Sequence, residues 1–246
     1  MNVSNGEKQD TKAPAATSAD GGTETSSYRP PLISLDRYIG ERVMIFSPHP
    51  EDDTLGCGGT TRLLFESGCN ILAIYMTDGR FGCPTMSPEE TASIRRLESV
   101  NSATVLGIAN LQFMNRPEGG LRCDRITIKE AREAMQAYNP SLVLVPDPDA
   151  GHPDHRAAYE IVLAATAGEA VEVLRFGVHN AVRPDVVVDI TKTMAYKEKA
   201  MREHRTQQDR EDYVSKVMGL NAYLSIGRGP EVQFCEAFSR PQGNDQ

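Results

Sequence analysis

Apolar positions in this 246-residue chain gather into short uninterrupted runs separated by longer, periodically apolar stretches. Arg42 to Pro48 reads as a first strand through Val43-Met44-Ile45-Phe46. Asn70 to Thr77, with Ile71-Leu72-Ala73-Ile74-Tyr75, is a second one, too uniformly apolar to face water on either side, as buried parallel strands are. Leu111 to Met114, Ser141 to Val145, Val171 to Val178 and Val186 to Ile190 are further strands. Between them the spacing predicts a helix over Thr54 to Ser67, stopped by Gly68, and another over Arg125 to Tyr138. A capping box, Ser87-Pro88-Glu89-Glu90, opens a long helix that reaches Leu106 before Gly107. His155 to Ala167 is a helix stopped by Gly168, and Thr191 to Leu224 is mostly helical with a break near Asp209. Strands alternating with helices predict an α/β fold: a mostly parallel, doubly wound sheet with helices on both faces. There is no internal repeat. In the order 3-2-1-4-5 the first and fourth strands are neighbours where the winding reverses, and ligands bind outside the carboxyl ends of strands there.

Residues 1–28 are rich in Ser, Thr, Ala, Gly and Asp with almost nothing large and apolar, which predicts a disordered tail. Residues 29–246 suffice for a single domain with a sizeable core. A net charge of -8 repels polyanions, so a nucleic-acid partner or an anionic membrane surface is not expected. A small neutral or cationic molecule suits that field. The five cysteines are odd in number and show no CxxC spacing, against a disulfide framework or a thiolate zinc site and in favour of free thiols in a reducing compartment. With neither a signal peptide nor an apolar run of membrane-span length, the expectation is a cytoplasmic protein.

The chemistry concentrates in two turns. Ser47-Pro48-His49-Pro50-Glu51-Asp52-Asp53 follows the first strand and His152-Pro153-Asp154-His155 follows the fourth, so three of five histidines occupy matching positions ahead of a helix. His49, Asp52 and His155 make a two-histidine, one-carboxylate set that would leave a position open for water, as catalytic zinc sites require. The same set suits ferrous iron. Glu51 supplies a carboxylate for a general base. His152 stands where it could protonate a leaving nitrogen or donate to an oxyanion, with Asp154 to fix its tautomer. Asp53 or Thr54 is the candidate N-cap of the first helix. Gly56, Gly58 and Gly59 lack the order of a phosphate loop and read as sites of close helix packing.

These motifs resemble the PIG-L/LmbE-like zinc-dependent N-acetylglucosaminide deacetylases. Besides the two turns, the resemblance rests on Thr77-Asp78-Gly79, Arg95-Arg96-Leu97-Glu98, Pro117-Glu118-Gly119, Asp189-Ile190-Thr191, His204-Arg205-Thr206-Gln207 and Glu236-Ala237-Phe238. It implies a Rossmann-like fold and removal of an N-acetyl group from a GlcNAc-containing small molecule or glycoside, releasing acetate. It also implies metal ligands at His49, Asp52 and His155, a base at Glu51, an electrophile at His152 and a sugar-binding acid at Glu118. Two further readings stay open: an amide hydrolase for another N-acyl group of a natural-product glycoside, and an inactive sugar-binding homologue.

The chain departs from the family pattern at three carboxylates. HPEDD stands where HPDDE is usual and Pro117-Glu118-Gly119 where PDG is usual, which shifts the acceptor or reflects neutral drift. The longer base must fold back, or the substrate must sit further out. Ala150 occupies a position where some members carry a tyrosine. Arg95 offers a cation for a substrate hydroxyl or phosphate, or for a helix-surface pair with Glu98. Asp78 reads as support for a ligand or as a turn residue, and His204 and Gln207 as support for the site or as a polar helix face.

Overall fold

The computed structural model describes residues 1–2, 29–149, 151–209 and 211–241. The expected disordered tail, apart from its first two residues, lies outside the described residues, as does Ala150. The chain runs β1 (Arg42–Ser47), α1 (Asp52–Glu66), β2 (Asn70–Thr77), α2 (Pro88–Leu106), β3 (Asn110–Arg116), α3 (Arg125–Tyr138) and β4 (Leu142–Pro146). It continues through α4 (Pro153–Thr166), β5 (Glu172–Phe176), β6 (Val186–Asp189), α5 (Met194–Glu203), α6 (Arg205–Gln208), α7 (Tyr213–Leu224) and β7 (Cys235–Ser239). The sheet order is β3-β2-β1-β4-β5-β7-β6, parallel from β3 to β5 and antiparallel where β7 pairs with β5 and β6.

Alternation along β1 shows why its run is apolar throughout. Val43 and Ile45 join the core with Leu64 of α1, Leu106 of α2 and Met201 of α5, while Met44 and Phe46 join Met135 of α3 and Ile161 of α4 on the other face. Both faces are covered, so every position of the run is buried, each large side chain contributing about 1.5–3 kcal/mol. The capping box at Ser87 and Glu90 is formed, and α2 ends on Gly107 with φ 87°, which a residue with a Cβ adopts only under strain.

Two features depart from the sequence expectation. The last strand, β7, carries only the short Cys235-Glu236-Ala237-Phe238-Ser239 run and threads between β5 and β6, so the sheet is not wound in simple succession. The first helix starts earlier than expected, at Asp52, and bends at Cys57, whose φ of -138° and ψ of 19° are not helical. A bend exposes the amides beyond it as if a second helix began there. Glu236 of β7 answers this: its Oε1 accepts the N–H of Gly59 at 2.9 Å and its Oε2 that of Thr60 at 2.8 Å, with Lys197 Nζ donating to Oε1 at 2.6 Å. Lys197 and Glu236 are both buried. The glycines around the bend do serve close packing: a Cβ at Gly56 would lie 2.1 Å from the Phe176 ring, and one at Gly59 would lie 2.7 Å from Ile190.

Removing one member of this buried pair leaves the other charge without compensation. Lys197→Met is expected to cost about 3–5 kcal/mol, read as a fall in the urea midpoint. Lys197→Met combined with Glu236→Leu should recover only part of that loss, because the Gly59 and Thr60 amides then lose their acceptor.

Candidate active site

β1 and β4 pair in register at Val43/Leu142, Met44/Val143 and Ile45/Leu144, so the two turns that leave their carboxyl ends face one another across a crevice. The first turn is closed by its own side chains. Asp52 Oδ2 accepts the His49 N–H at 2.8 Å and Ser47 Oγ accepts the Asp53 N–H at 3.1 Å. The residue at the cap position is Glu51, which makes no side-chain cap, so neither Asp53 nor Thr54 plays the capping part expected of one of them. In the second turn His152 caps α4: its Nδ1 accepts the Asp154 N–H at 3.1 Å, and Pro153 fills the first helical position. A ring nitrogen that accepts carries no proton, so the proton of neutral His152 lies on Nε2. Burial and the charge at His49 push the His152 pKa down from its ordinary value, which favours that neutral form.

Three consecutive carboxylates turn to three different partners. Glu51 pairs with Arg95 of α2. Asp52 points between the histidines. Asp53 turns down into the sheet, where Tyr75 OH donates to it at 3.1 Å and burial raises its pKa to about 7. The Asp52 carboxylate is the centre of the site, with Oδ2 3.1 Å from His49 Nδ1 and 3.2 Å from His155 Nε2, and the two nitrogens 3.2 Å apart. His49, Asp52 and His155 are all buried, and Asp52 Oδ1 and His155 Nδ1 have no hydrogen-bond partner.

Three lone-pair atoms facing one another at such distances repel unless positive charge lies among them. Burial alone would lower the His49 pKa, yet the Asp52 and Asp154 carboxylates drive it up to about 10, and the two histidines hold Asp52 well below its ordinary value despite its burial. The triangle also has the right size. Tetrahedral coordination at about 2.0–2.1 Å separates neighbouring ligand atoms by about 3.3 Å. His49, Asp52 and His155 therefore fit a divalent cation in both donor type and spacing.

Asp154 serves this triangle and not His152. Its Oδ2 is 3.3 Å from His49 Nε2 but 3.9 Å from His152 Nδ1, and it also accepts the Gly119 N–H at 2.6 Å, while its Oδ1 takes that of Leu121 at 3.1 Å. A carboxylate on His49 Nε2 puts that ring's proton there and turns the Nδ1 lone pair to the centre, as ligand histidines require.

Arg95 is only 2% exposed, neither on the helix surface nor paired with Glu98. It lies beneath the 79–82 turn, donates to Gly79 O at 2.6 Å, pairs with Glu51 and approaches Glu118 at 3.6 Å. Glu98 instead receives the N–H and hydroxyl of Thr206 at 2.9 and 2.6 Å. Glu118 accepts the Phe81 N–H at 2.8 Å, and its carboxylate and ring nitrogens of His49 and His152 lie within 4.8 Å of one another. Asp78 is a turn residue: it takes the Arg80 side chain and the N–H of Arg80 and Glu118. His204 is buried, held near pKa 4 by that burial, and lies 3.4 Å from Thr54 Oγ1; Gln207 donates to Gly82 O at 3.3 Å. Both are buried, so they do not form a polar helix face.

The crevice has one member that the sequence reading missed. His179, just past β5, stacks its exposed ring on His155 with centroids 5.8 Å apart and planes inclined by 13°. Its only sequence signal was its place directly after a strand beside β4.

A family model described as "PIG-L: GlcNAc-PI de-N-acetylase" matches residues 44–166, half of the chain and both turns. Diacetylchitobiose deacetylase of Thermococcus kodakarensis is 29% identical over 202 residues, spanning 72% of this chain and 76% of that one. A probable N-acetyl-alpha-D-glucosaminyl L-malate deacetylase 2 of Bacillus cereus is 27% identical over 199 residues, 73% of this chain and 90% of that one. Among solved structures, N,N'-diacetylchitobiose deacetylase from Pyrococcus horikoshii superposes with a TM-score of 0.74 at 26% identity, covering 83% of this chain and 85% of that one.

The geometry at Asp154 predicts how tightly the triangle holds a cation. Asp154→Asn, which keeps the shape and removes the charge, is expected to weaken zinc binding about 10–100-fold, measured by competition with a chromophoric chelator.

Proposed function

The chain belongs to the PIG-L de-N-acetylase family, and from that premise we propose that it is a zinc-dependent N-deacetylase acting on a GlcNAc-containing small molecule or glycoside. Water and the acetamido group would become acetate and a free amine. The observation that carries this reading is the buried triangle of His49, Asp52 and His155, with Glu51 beside it and a neutral, Nε2-protonated His152 at its edge.

The chemistry that a divalent ion supplies in such a site is Lewis-acid polarisation of a carbonyl and acidification of water from a pKa of 15.7 to about 7. His49, Asp52 and His155 would hold it, and Asp154 would orient His49. Glu51 takes the proton of the attacking water as general base. The bond to Arg95 fixes where that carboxylate stands, so Arg95 contributes by positioning the base and Glu118 is left as the substrate-binding acid for a sugar hydroxyl. The Nε2–H of His152 donates to the developing oxyanion. The proton that Glu51 collects is then passed to the leaving nitrogen. The N-termini of α1 and α4 both open at this crevice and favour negative charge there.

Among the described residues no helix is long and apolar enough to cross a membrane. The five cysteines are free thiols, in keeping with the reducing cytoplasm that we propose as its compartment.

Two measurements test the assignment. Purified protein should contain about one zinc per chain by mass spectrometry, and His155→Ala should lose it; full occupancy in the variant would remove His155 as a ligand. Glu51→Gln should lower acetate release from N,N'-diacetylchitobiose by about 10² to 10⁴-fold with zinc retained. Unchanged turnover would remove Glu51 as base.

A further inference from the structure

We propose that His179, Tyr213, Glu211 and Lys216 form a ledge beside the crevice that holds a hydroxylated ring linked to the anomeric carbon of the amino sugar. The inference rests on the deacetylase reading and deepens it, by assigning residues to the part of a glycoside that does not react.

The three rings nearest the centre of the site form a triangle: the His49 and His152 centroids lie 4.5 Å apart, those of His49 and His155 5.1 Å, and those of His152 and His155 5.7 Å. Different groups meet its different corners. Glu118 approaches ring nitrogens of His49 and His152. His179 instead stacks on His155, and the Tyr213 ring continues from His179 with centroids 6.0 Å apart. Sheet order accounts for the separation, because Glu118 follows β3 on one side of the β1/β4 crevice and His179 follows β5 on the other.

The ledge is polar. Glu211 takes a hydrogen bond from the Tyr213 side chain, lies close enough to His179 to feel its charge, and pairs with Lys216 in the first turn of α7. Asp212 caps that helix by accepting the Ser215 N–H at 3.1 Å, which fixes where the ledge stands. His179 is exposed, and the Glu211 and Lys216 side chains are 41% and 63% exposed, so their donors and acceptors keep capacity for a ligand. Hydroxyls, which both donate and accept, suit such a surface. An alkyl chain would take water from these groups and return no hydrogen bond.

The connectivity of a 2-acetamido sugar decides what arrives there. Its reacting nitrogen is on C2, and the ring neighbours C1 and C3 lie on opposite sides of C2. With the C3 hydroxyl on Glu118, C1 turns toward His155 and the ledge beyond it. A ring linked at C1 therefore meets His179 and Glu211, whereas the free sugar leaves them to water.

The test is kcat/KM for the zinc-loaded protein on N-acetylglucosamine, its methyl glycoside and N,N'-diacetylchitobiose, followed by appearance of amine. The disaccharide should exceed the other two by about tenfold or more, the worth of a hydrogen bond to a charged group. Glu211→Ala should bring the disaccharide down toward the methyl glycoside by raising KM at constant kcat, as loss of uniform binding does; Glu211→Gln, which keeps an acceptor, should lose less. His179→Ala should move the same ratio in the same direction, and the exposed Glu211 keeps the inference falsifiable if that variant folds poorly. The inference is overturned if the wild type takes the methyl glycoside as readily as the disaccharide, or if Glu211→Ala leaves their ratio unchanged. A wild-type protein that frees amine from none of the three overturns the deacetylase reading and this inference with it, an outcome distinct from an unchanged ratio.

Discussion

A buried carboxylate must be neutralised where it stands, and this protein buries four around a single crevice: Glu51, Asp52, Asp53 and Asp154. Each finds a different compensation, and each compensation ties the first turn or the second to another part of the sheet. Glu51 reaches Arg95 on α2, Asp52 the two histidines, Asp53 the Tyr75 hydroxyl on β2, and Asp154 both His49 and the amides of Gly119 and Leu121 after β3. The architecture of the site is the set of solutions to that one electrostatic problem. All four are met by protein groups, and the Asp52 triangle is the one whose donor set and spacing also fit a divalent cation.

Much of this was legible in the sequence because it depends on local signals. Uniform apolar runs announced the buried parallel strands, the Ser87 box and Gly107 bounded α2, and the matching places of the two histidine turns became adjacent once β1 and β4 were neighbours. What escaped depends on long-range pairing. Arg95 carries the pattern of a surface pair with Glu98, and only the fold of the 79–82 turn over α2 buries it against a carboxylate 44 residues away. Asp53 looked like an N-cap because its type and place suit one, but Tyr75 and the sheet claim it first. β7 has too few apolar residues to declare itself, and its partners are the strands it separates. His179 sits alone in its segment, and proximity to His155 is a property of the sheet order.

The departures from the usual carboxylate lengths acquire a physical sense in the same terms. A glutamate at position 51 is long enough to fold back onto Arg95, so the extra methylene is absorbed by an ion pair beneath the turn. Glu118 in turn lies against the same guanidinium and the Phe81 amide. Both acids therefore lie against one buried cation and share it as a partner.

The cap that Glu236 places on the bend of α1 also bears on the order in which the molecule can assemble. α1 leaves the ribosome early, with its Gly59 and Thr60 amides and the acid run ahead of them, but the carboxylate that satisfies those amides follows 177 and 176 residues later. The strand that brings it must slot between two that were made before it. A nascent chain at roughly 5–20 residues per second therefore spends on the order of ten seconds or more with the first half of its site built on an unsupported helix. The cap on the bend of α1 is thus a contact that the chain can close only across 177 residues of its own length.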